Sequence, residues 1–275
     1  MTDAAAEMPA GLEILRALPP EGVTPRPVPL VFLHGAFAGA WCWAEHFLPW
    51  FASQGYACYA PSFRGHAGSA GHDKLHSFGI EDYAKDVASV VEDLPSPPVL
   101  IGHSMGGFVG MRYLEETPAR GLVLLASVPP IGLSAPALSL AMWNPSLLSE
   151  IALLQQVDPK WSSLDVMRGA LFSAEDDPEV LARHFDQMDG ESRRATLDMH
   201  GGMRLRPDGW KDKLPILVLG ASNDTLIRKA FVRSTARRLG RRAEFFEETG
   251  HGMMLDRSWP KVAVRVAEWL RAQGF

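Results

Sequence analysis

Short apolar runs alternate with amphipathic segments along most of the chain. Residues 81–94 carry apolar side chains at helical spacing, so they are predicted to form a helix with one buried face. The runs are apolar at nearly every position, which is typical of strands buried on both faces of a parallel sheet. These strands are predicted at 29–33, 56–60, 99–101, 121–126, 214–220 and 243–247. The alternation predicts an α/β fold with helices on both faces of the sheet, and residues 12–18 are a candidate edge strand.

The pattern changes between residues 127 and 206, where no strand is predicted. Prolines divide this stretch into short helices, and large apolar side chains such as Met142, Met167 and Phe172 recur in it. Methionine-rich surfaces adapt to apolar ligands, although these side chains could also simply pack the segment. We expect a helical cap over the sheet edge. The predicted boundaries are 1–127 and 208–275 for the two parts of the core domain and 128–207 for the cap.

Composition limits the classes of partner. Apolar residues make up 47% of the chain and the net charge is -5, which argues against nucleic acid or an anionic membrane surface as the main partner. Residues 1–11 lack the pattern of a secretion signal, and no apolar run reaches membrane-spanning length. The two cysteines, Cys42 and Cys58, are expected to be free buried thiols, which fits a cytoplasmic location.

One strand ends in a motif that suggests covalent chemistry. After the run 99–101 comes Gly102-x-Ser104-x-Gly106, followed by an amphipathic segment. This is the frame of a nucleophile elbow, a sharp strand-to-helix turn that presents a serine hydroxyl at the sheet edge. A glycine-rich loop that only packs a helix against a sheet is the alternative. The position between a strand and a helix favours the elbow.

Two further polar residues follow predicted strands, and their order matters. Asp224 comes after the run 214–220, and His251 after the run 243–247. In a parallel α/β sheet, groups that follow strands meet at the carboxyl edge, where ligands bind. Alone, each would be a turn or loop residue. Together with Ser104 they predict a triad in which His251 takes the serine proton and Asp224 orients the imidazole.

A serine nucleophile also needs donors for the developing oxyanion. The N–H of Met105, directly after Ser104, is one candidate, and the N–H of Ala36 in the loop after residues 29–33 is the second. Phe37 is the alternative for the second position. This chemistry requires no cofactor and no metal. The loop histidines at 66, 72 and 76 have no carboxylate at a recognised ligand spacing, so a metal site is not favoured.

The motifs His34-Gly35-Ala36 and 102–107, with Asp224 and His251, resemble those of the α/β-hydrolase fold superfamily. The segment 34–43 is similar to the subgroup of plant methylesterases and hydroxynitrile lyases. The resemblance implies a mostly parallel eight-stranded sheet with a helical cap inserted after the sixth strand.

Three positions narrow the activity that the resemblance implies. A serine at 104 disfavours the dehalogenase and epoxide hydrolase branches, which carry an aspartate there. Gly35 and Gly252 stand where the lyases carry threonine and lysine, which disfavours a lyase.

The expected function is serine hydrolysis of a carboxylic ester or lactone. The substrate is expected to be a small to medium apolar molecule, because the cap offers few fixed charges. Carbon–carbon bond hydrolysis, perhydrolysis and receptor-like ligand binding with little turnover are the alternatives. The expected pocket residues are Phe37, Met142, Trp143, Phe172 and Met254.

Overall fold

The computed structural model describes residues 11–154, 171–172 and 178–275. Its strands form one sheet in the order β1-β3-β2-β4-β5-β6-β7. Strand β1 pairs antiparallel with β3, and every other pairing is parallel. The strands are β1 Ile14–Ala17, β2 Leu30–Leu33, β3 Cys58–Pro61, β4 Val99–His103, β5 Gly121–Leu125, β6 Ile216–Ala221 and β7 Ala243–Phe246.

The mostly parallel α/β-hydrolase sheet is confirmed, but the expected strand count was wrong: the described residues form seven strands, not eight. The described residues before β1 form only a turn and an isolated bridge at Leu12, so nothing there extends the sheet beyond β1. The long helical segment consequently follows the fifth strand of this sheet, which is the predicted run at 121–126.

Helices cover both faces of the sheet. The α-helices of the described residues are α1 Trp41–Ala44, α2 Phe47–Ser53, α3 Ile80–Glu92, α4 Met105–Leu114, α5 Ser134–Trp143, α6 Pro145–Leu154, α7 Pro178–Asp186, α8 Arg193–Leu197, α9 Lys229–Arg238 and α10 Trp259–Ala272. One helix expected from 41 to 51 is divided into α1 and α2. Pro49 accounts for the break, because its ring clashes with the carbonyl of Glu45 in a continuous helix.

The core has one layer on each side of the sheet, and β2 shows how the strands divide between them. Leu30 and Phe32 pack with α1, α2 and α10, whereas Val31 and Leu33 pack with α3, α4 and α9. All four side chains are fully buried. Alternate strand residues point to opposite faces, so covering both faces requires the unbroken apolar runs seen in the sequence.

The described part of the predicted cap, residues 128–154, 171–172 and 178–207, contains α5 to α8 and no strand. Met167 and residues 1–10, which entered the sequence analysis, lie outside the described residues.

Cys42 and Cys58 are free and buried, as expected. Burial raises the pKa of both thiols well above its ordinary value, which keeps them protonated and unreactive. Within the ranges that the structure describes, none of the helices has the length and apolar character needed to cross a bilayer.

Candidate active site

Ser104 occupies a tight turn between β4 and α4. Its backbone has φ +50° and ψ -116°, a conformation that side-chain-bearing residues rarely adopt. A Cβ on Gly106 would lie 2.2 Å from the carbonyl oxygen of Leu33, and one on Gly102 would lie 2.6 Å from the Cα of Gly107. Both positions therefore need glycine. This strained turn between a strand and a helix has the geometry expected of a nucleophile elbow.

His251 and Asp224 form a buried pair beside Ser104. The Nδ1 of His251 lies 2.7 Å from the Oδ2 of Asp224. The other carboxylate oxygen accepts hydrogen bonds from the backbone N–H groups of Leu226 and Ile227, both at 2.8 Å. The carboxylate is thus fixed from two sides and holds the imidazole through Nδ1. Ser104 and His251 line the same cavity.

His103, the residue before the serine, braces the loop that carries His251. Its Nε2 lies 2.9 Å from the backbone carbonyl oxygen of His251 and donates to it. Burial, together with the proximity of His251, lowers the pKa of His103 to about 3. His103 is therefore neutral at physiological pH and fixes the position of the proposed base without competing for its proton. The sequence analysis did not assign it this role.

The two expected oxyanion donors lie at the elbow and at the end of β2. Met105 is the first residue of α4, so its N–H belongs to the positive end of the helix dipole. Ala36 follows Gly35, where a Cβ would lie 2.8 Å from the Nδ1 of His103. The loop backbone therefore lies so close to His103 that position 35 has no room for a side chain.

The His34 ring anchors the start of this loop. Its Nδ1 lies 2.8 Å from the carbonyl oxygen of Gly35, and its Nε2 accepts the N–H of Phe63 at 2.9 Å. Burial lowers the pKa of His34 well below its ordinary value, which is consistent with a neutral ring.

Phe37, the alternative second donor, has a different partner. Its N–H donates to the Oε2 of Glu191 at 3.2 Å, and its backbone has φ +61°. Because this N–H is already engaged by a carboxylate, Ala36 is the better candidate for the oxyanion hole.

Two apolar cavities meet at these residues. The first, the Ser104 cavity, has a volume of about 170 Å³. The second, the Trp41 cavity, has about 60 Å³ and lies under α7. Four residues line both, namely Ala36, His103, Leu171 and Met188. The loop at residues 34–37, called the oxyanion loop after the donor expected at Ala36, thus lies between a larger and a smaller apolar cavity.

Three of the five expected pocket residues line these cavities. Phe37 lines the Ser104 cavity, whereas Phe172 and Met254 line the Trp41 cavity. The prediction for Met142 and Trp143 was wrong, since both are exposed, at 66% and 72%, and line neither cavity. Helix α5 instead turns another face to the Ser104 cavity, with Pro136, Ala137 and Leu140. The helix is apolar on nearly every side, so residue spacing could not distinguish its inner face.

Comparison with known proteins identifies the family of this chain. The model of a family described as "Alpha/beta hydrolase family" matches residues 30–265. The chain belongs to the alpha/beta hydrolase family. The resemblance drawn from its motifs is confirmed at that level.

Two curated relatives of this alpha/beta hydrolase are similar over shorter stretches. A pyrethroid hydrolase from Sphingobium wenxiniae is 29% identical over 113 residues, which is 40% of this chain and 38% of that protein. A pheophorbidase from Raphanus sativus is 37% identical over 82 residues, which is 29% of this chain and 30% of that protein. The alignments therefore span well under half of these relatives.

Among solved structures, an N-acyl homoserine lactonase in complex with N-hexanoyl homoserine lactone has a TM-score of 0.75 and 20% identity to this chain. The match covers 99% of this chain and 98% of the lactonase. At this level of identity the likeness shows the shared fold.

One buried acidic residue of this alpha/beta hydrolase escaped the sequence analysis. Glu191 is only 2% exposed, and it lines the Ser104 cavity. The local sequence is typical of an ordinary polar turn, Asp189-Gly190-Glu191-Ser192. Ser192 indeed caps α8 through its side chain. Three of the four hydrogen-bond partners of Glu191 are distant in sequence, namely Phe37, His66 and Tyr83, so the local sequence gives no signal of its burial.

Proposed function

We propose that this chain is a serine hydrolase that cleaves carboxylic esters or lactones through an acyl-enzyme on Ser104. The observation that carries the proposal is the arrangement at the sheet edge. The strained elbow presents Ser104 to the cavity that His251 also lines, and the buried carboxylate of Asp224 holds His251 through Nδ1 at 2.7 Å.

The proposed reaction begins when the Oγ of Ser104 attacks the ester carbonyl while the Nε2 of His251 removes its proton. The carbonyl oxygen becomes an oxyanion, which the N–H groups of Met105 and Ala36 stabilise. Collapse of this intermediate breaks the ester bond, and His251 returns the proton to the departing alcohol. A water molecule, deprotonated by His251, then attacks the acyl carbon. The bond to the Oγ of Ser104 breaks as His251 returns the proton to that oxygen, which releases the acid and restores the serine.

Asp224 contributes by keeping the correct imidazole tautomer and by stabilising the imidazolium that forms in each half of the reaction. Each oxyanion donor contributes about 3 kcal/mol to transition-state stabilisation. Both proposed donors are backbone groups, which explains why Ala36 and Met105 need no polar side chain.

The cavities favour a small to medium apolar substrate without charge. The wall of the Ser104 cavity includes Val128, Leu133, Leu140 and Met199, and such apolar surface gains from burying apolar ligand groups. The similarity to a pyrethroid hydrolase and the fold shared with a lactonase support a hydrolytic reaction. We propose residues 128–207 as a cap that closes this space, and the free thiols of Cys42 and Cys58 support a cytoplasmic location.

A p-nitrophenyl ester series from acetate to long acyl chains tests the proposal, with wild type and Ser104→Ala measured side by side. The wild type should hydrolyse the shorter esters, and the Ser104→Ala variant should lose this activity while unfolding at a similar temperature. Equal turnover by both proteins would refute the assignment of Ser104. Saturable ester binding without turnover by the wild type would instead favour a receptor-like role.

A further inference from the structure

The carboxylate of Glu191 accepts hydrogen bonds from four donors. Oε1 lies 2.6 Å from the N–H of Ser192 and 3.2 Å from the hydroxyl of Tyr83. Oε2 lies 3.2 Å from the N–H of Phe37 and 3.3 Å from the Nε2 of His66. A carboxylate offers about four lone-pair positions, so these contacts use its full accepting capacity.

Three of these partners come from separate elements of the core domain. Tyr83 belongs to α3, His66 to the loop after β3, and Phe37 to the loop after β2. Tyr83 and His66 are themselves fully buried. Glu191 therefore connects the segment before α8 to the core through buried hydrogen bonds.

Phe37 is the partner that matters for chemistry, because it directly follows Ala36. Its backbone lies in the left-handed region, at φ +61°, where a residue with a side chain needs outside support. The segment 189–191 binds both backbone groups of Phe37, its N–H and its carbonyl oxygen. Glu191 accepts the Phe37 N–H, and the N–H of Asp189 donates to the Phe37 carbonyl oxygen at 3.1 Å.

We propose that Glu191 is a positioning residue, whose carboxylate holds the Phe37 N–H and thereby fixes the direction of the Ala36 N–H in the oxyanion hole. The inference rests on the proposed function and extends it to a residue outside the triad. It also makes the oxyanion hole depend on the predicted cap segment, since Glu191 lies between α7 and α8.

The chemistry of the four donors requires a carboxylate at this position. A glutamine side chain has the same shape, but one of its two positions is an NH₂ donor. Turned one way, that NH₂ opposes the Phe37 N–H; turned the other way, it opposes the N–H of Ser192. Neither backbone N–H can reverse its role, and the contact with Ser192 is the shorter, at 2.6 Å against 3.2 Å for Phe37. The amide oxygen of Glu191→Gln is therefore expected to stay with Ser192 and Tyr83, so that the NH₂ faces the Phe37 N–H and this contact is lost.

The test compares Glu191→Gln with the wild type on the best p-nitrophenyl ester of the series. A displaced oxyanion donor harms the transition state and leaves ground-state binding nearly intact. We expect kcat to fall about 10- to 100-fold, with KM within about 3-fold of wild type. Phenylboronic acid, which forms a tetrahedral adduct with the serine oxygen, should bind more weakly by a factor similar to the loss in kcat.

Asp86→Asn is the matched control. Asp86 is also a buried carboxylate, and it accepts the backbone N–H of Arg64 at 2.9 Å and binds the Arg64 guanidinium. It lies on α3, as Tyr83 does, and its carboxylate binds Arg64, outside the loop that carries Ala36 and Phe37. The control should lower the unfolding temperature but leave kcat and the affinity for phenylboronic acid within about 2-fold of wild type.

The outcomes separate this inference from the proposed function. Wild-type kcat and boronate affinity in folded Glu191→Gln would overturn the positioning role even if Ser104→Ala is inactive. A rise in KM with unchanged kcat would also overturn it, because that pattern indicates lost ground-state binding. Retained activity in Ser104→Ala would instead refute the proposed function. If Glu191→Gln does not fold, Glu191→Asp keeps the charge and shortens the reach, and wild-type kcat there would count against the inference.

Discussion

Two buried carboxylate–histidine pairs each place one member at the Ser104 cavity, and we propose different roles for them. Asp224 lies 2.7 Å from His251, and Glu191 lies 3.3 Å from His66. Each carboxylate also accepts two backbone N–H groups. In the first pair the histidine lines the cavity and the carboxylate supports it. In the second pair the carboxylate lines the cavity. A buried carboxylate–histidine pair can therefore serve to position either the proposed base, His251, or a backbone donor of the proposed oxyanion hole.

The largest effect that separates the pairs is expected from Asp224→Asn. The asparagine oxygen can still accept the N–H groups of Leu226 and Ile227, but its NH₂ faces the Nδ1 of His251 and favours the wrong tautomer. We expect kcat to fall about 10³- to 10⁴-fold, measured on the best p-nitrophenyl ester. The circular dichroism spectrum should match that of the wild type. A decrease in kcat of less than about 10-fold would contradict the proposed orienting role of Asp224.

A smaller effect on activity is expected from Tyr83→Phe. This change removes one donor from the Oε1 of Glu191 and leaves the contact between Oε2 and Phe37 in place. The free energy of unfolding should fall by about 1 kcal/mol, as measured by urea denaturation, while kcat should fall no more than about 5-fold. A decrease in kcat as large as that of Glu191→Gln would contradict this. It would mean that any weakening of the contacts around Glu191 displaces the Ala36 N–H, whether or not the Phe37 contact is kept.

The second pair should also leave a signature in the pH dependence of stability. Burial lowers the pKa of His66, but the attraction and hydrogen bond of Glu191, with the nearby charge of Asp189, outweigh it and raise the pKa above its ordinary value. The rings of His34 and Tyr83 also face His66. Protonated His66 therefore stabilises the fold below its unfolded-state pKa, about 6.5, and this contribution is lost as pH rises through the folded-state pKa.

Urea unfolding of wild type and Glu191→Gln at a series of pH values from about 6 upward measures this contribution. The stability advantage of the wild type should be largest at the acidic end and should shrink as the pH rises. An advantage that stays constant across the series would show that His66 does not titrate against Glu191.

The smallest effects are expected at Met142 and Trp143, which lie outside both pairs and both cavities. Replacing either exposed side chain by alanine should change the free energy of unfolding by no more than about 0.5 kcal/mol. It should also leave kcat/KM within about 2-fold of wild type. Met188→Ala is the informative contrast, because Met188 is buried and lines both cavities. A change in acyl-chain preference at Trp143 without one at Met188 would contradict the cavity assignment.

The contrast between the pairs also explains what the sequence could predict. Ser104, Asp224 and His251 each follow an apolar strand, and parallel strands bring their carboxyl ends to one edge. Their meeting could therefore be predicted from strand order. Glu191 lies in a polar turn, and its burial depends on His66 and residues of α3 and the β2 loop that are distant in sequence.

The inner face of α5 was unpredictable for another reason. A helix that is apolar all round carries no periodic signal to mark the side that faces the core. The eighth strand, in turn, was expected from family resemblance alone, and the described residues before Ile14 form no strand. Periodicity thus located the elements, but it could not determine the contacts between the predicted cap and the core.

The most direct test of the central claim is to trap the acyl-enzyme. The wild-type protein is mixed with p-nitrophenyl butyrate, quenched in acid during turnover, digested and analysed by mass spectrometry. We expect a butyryl group on the peptide that carries Ser104, located on that serine by fragmentation, and no such adduct in the Ser104→Ala variant. A butyryl group on another residue, present in both proteins during turnover, would contradict the assignment of Ser104 as the nucleophile.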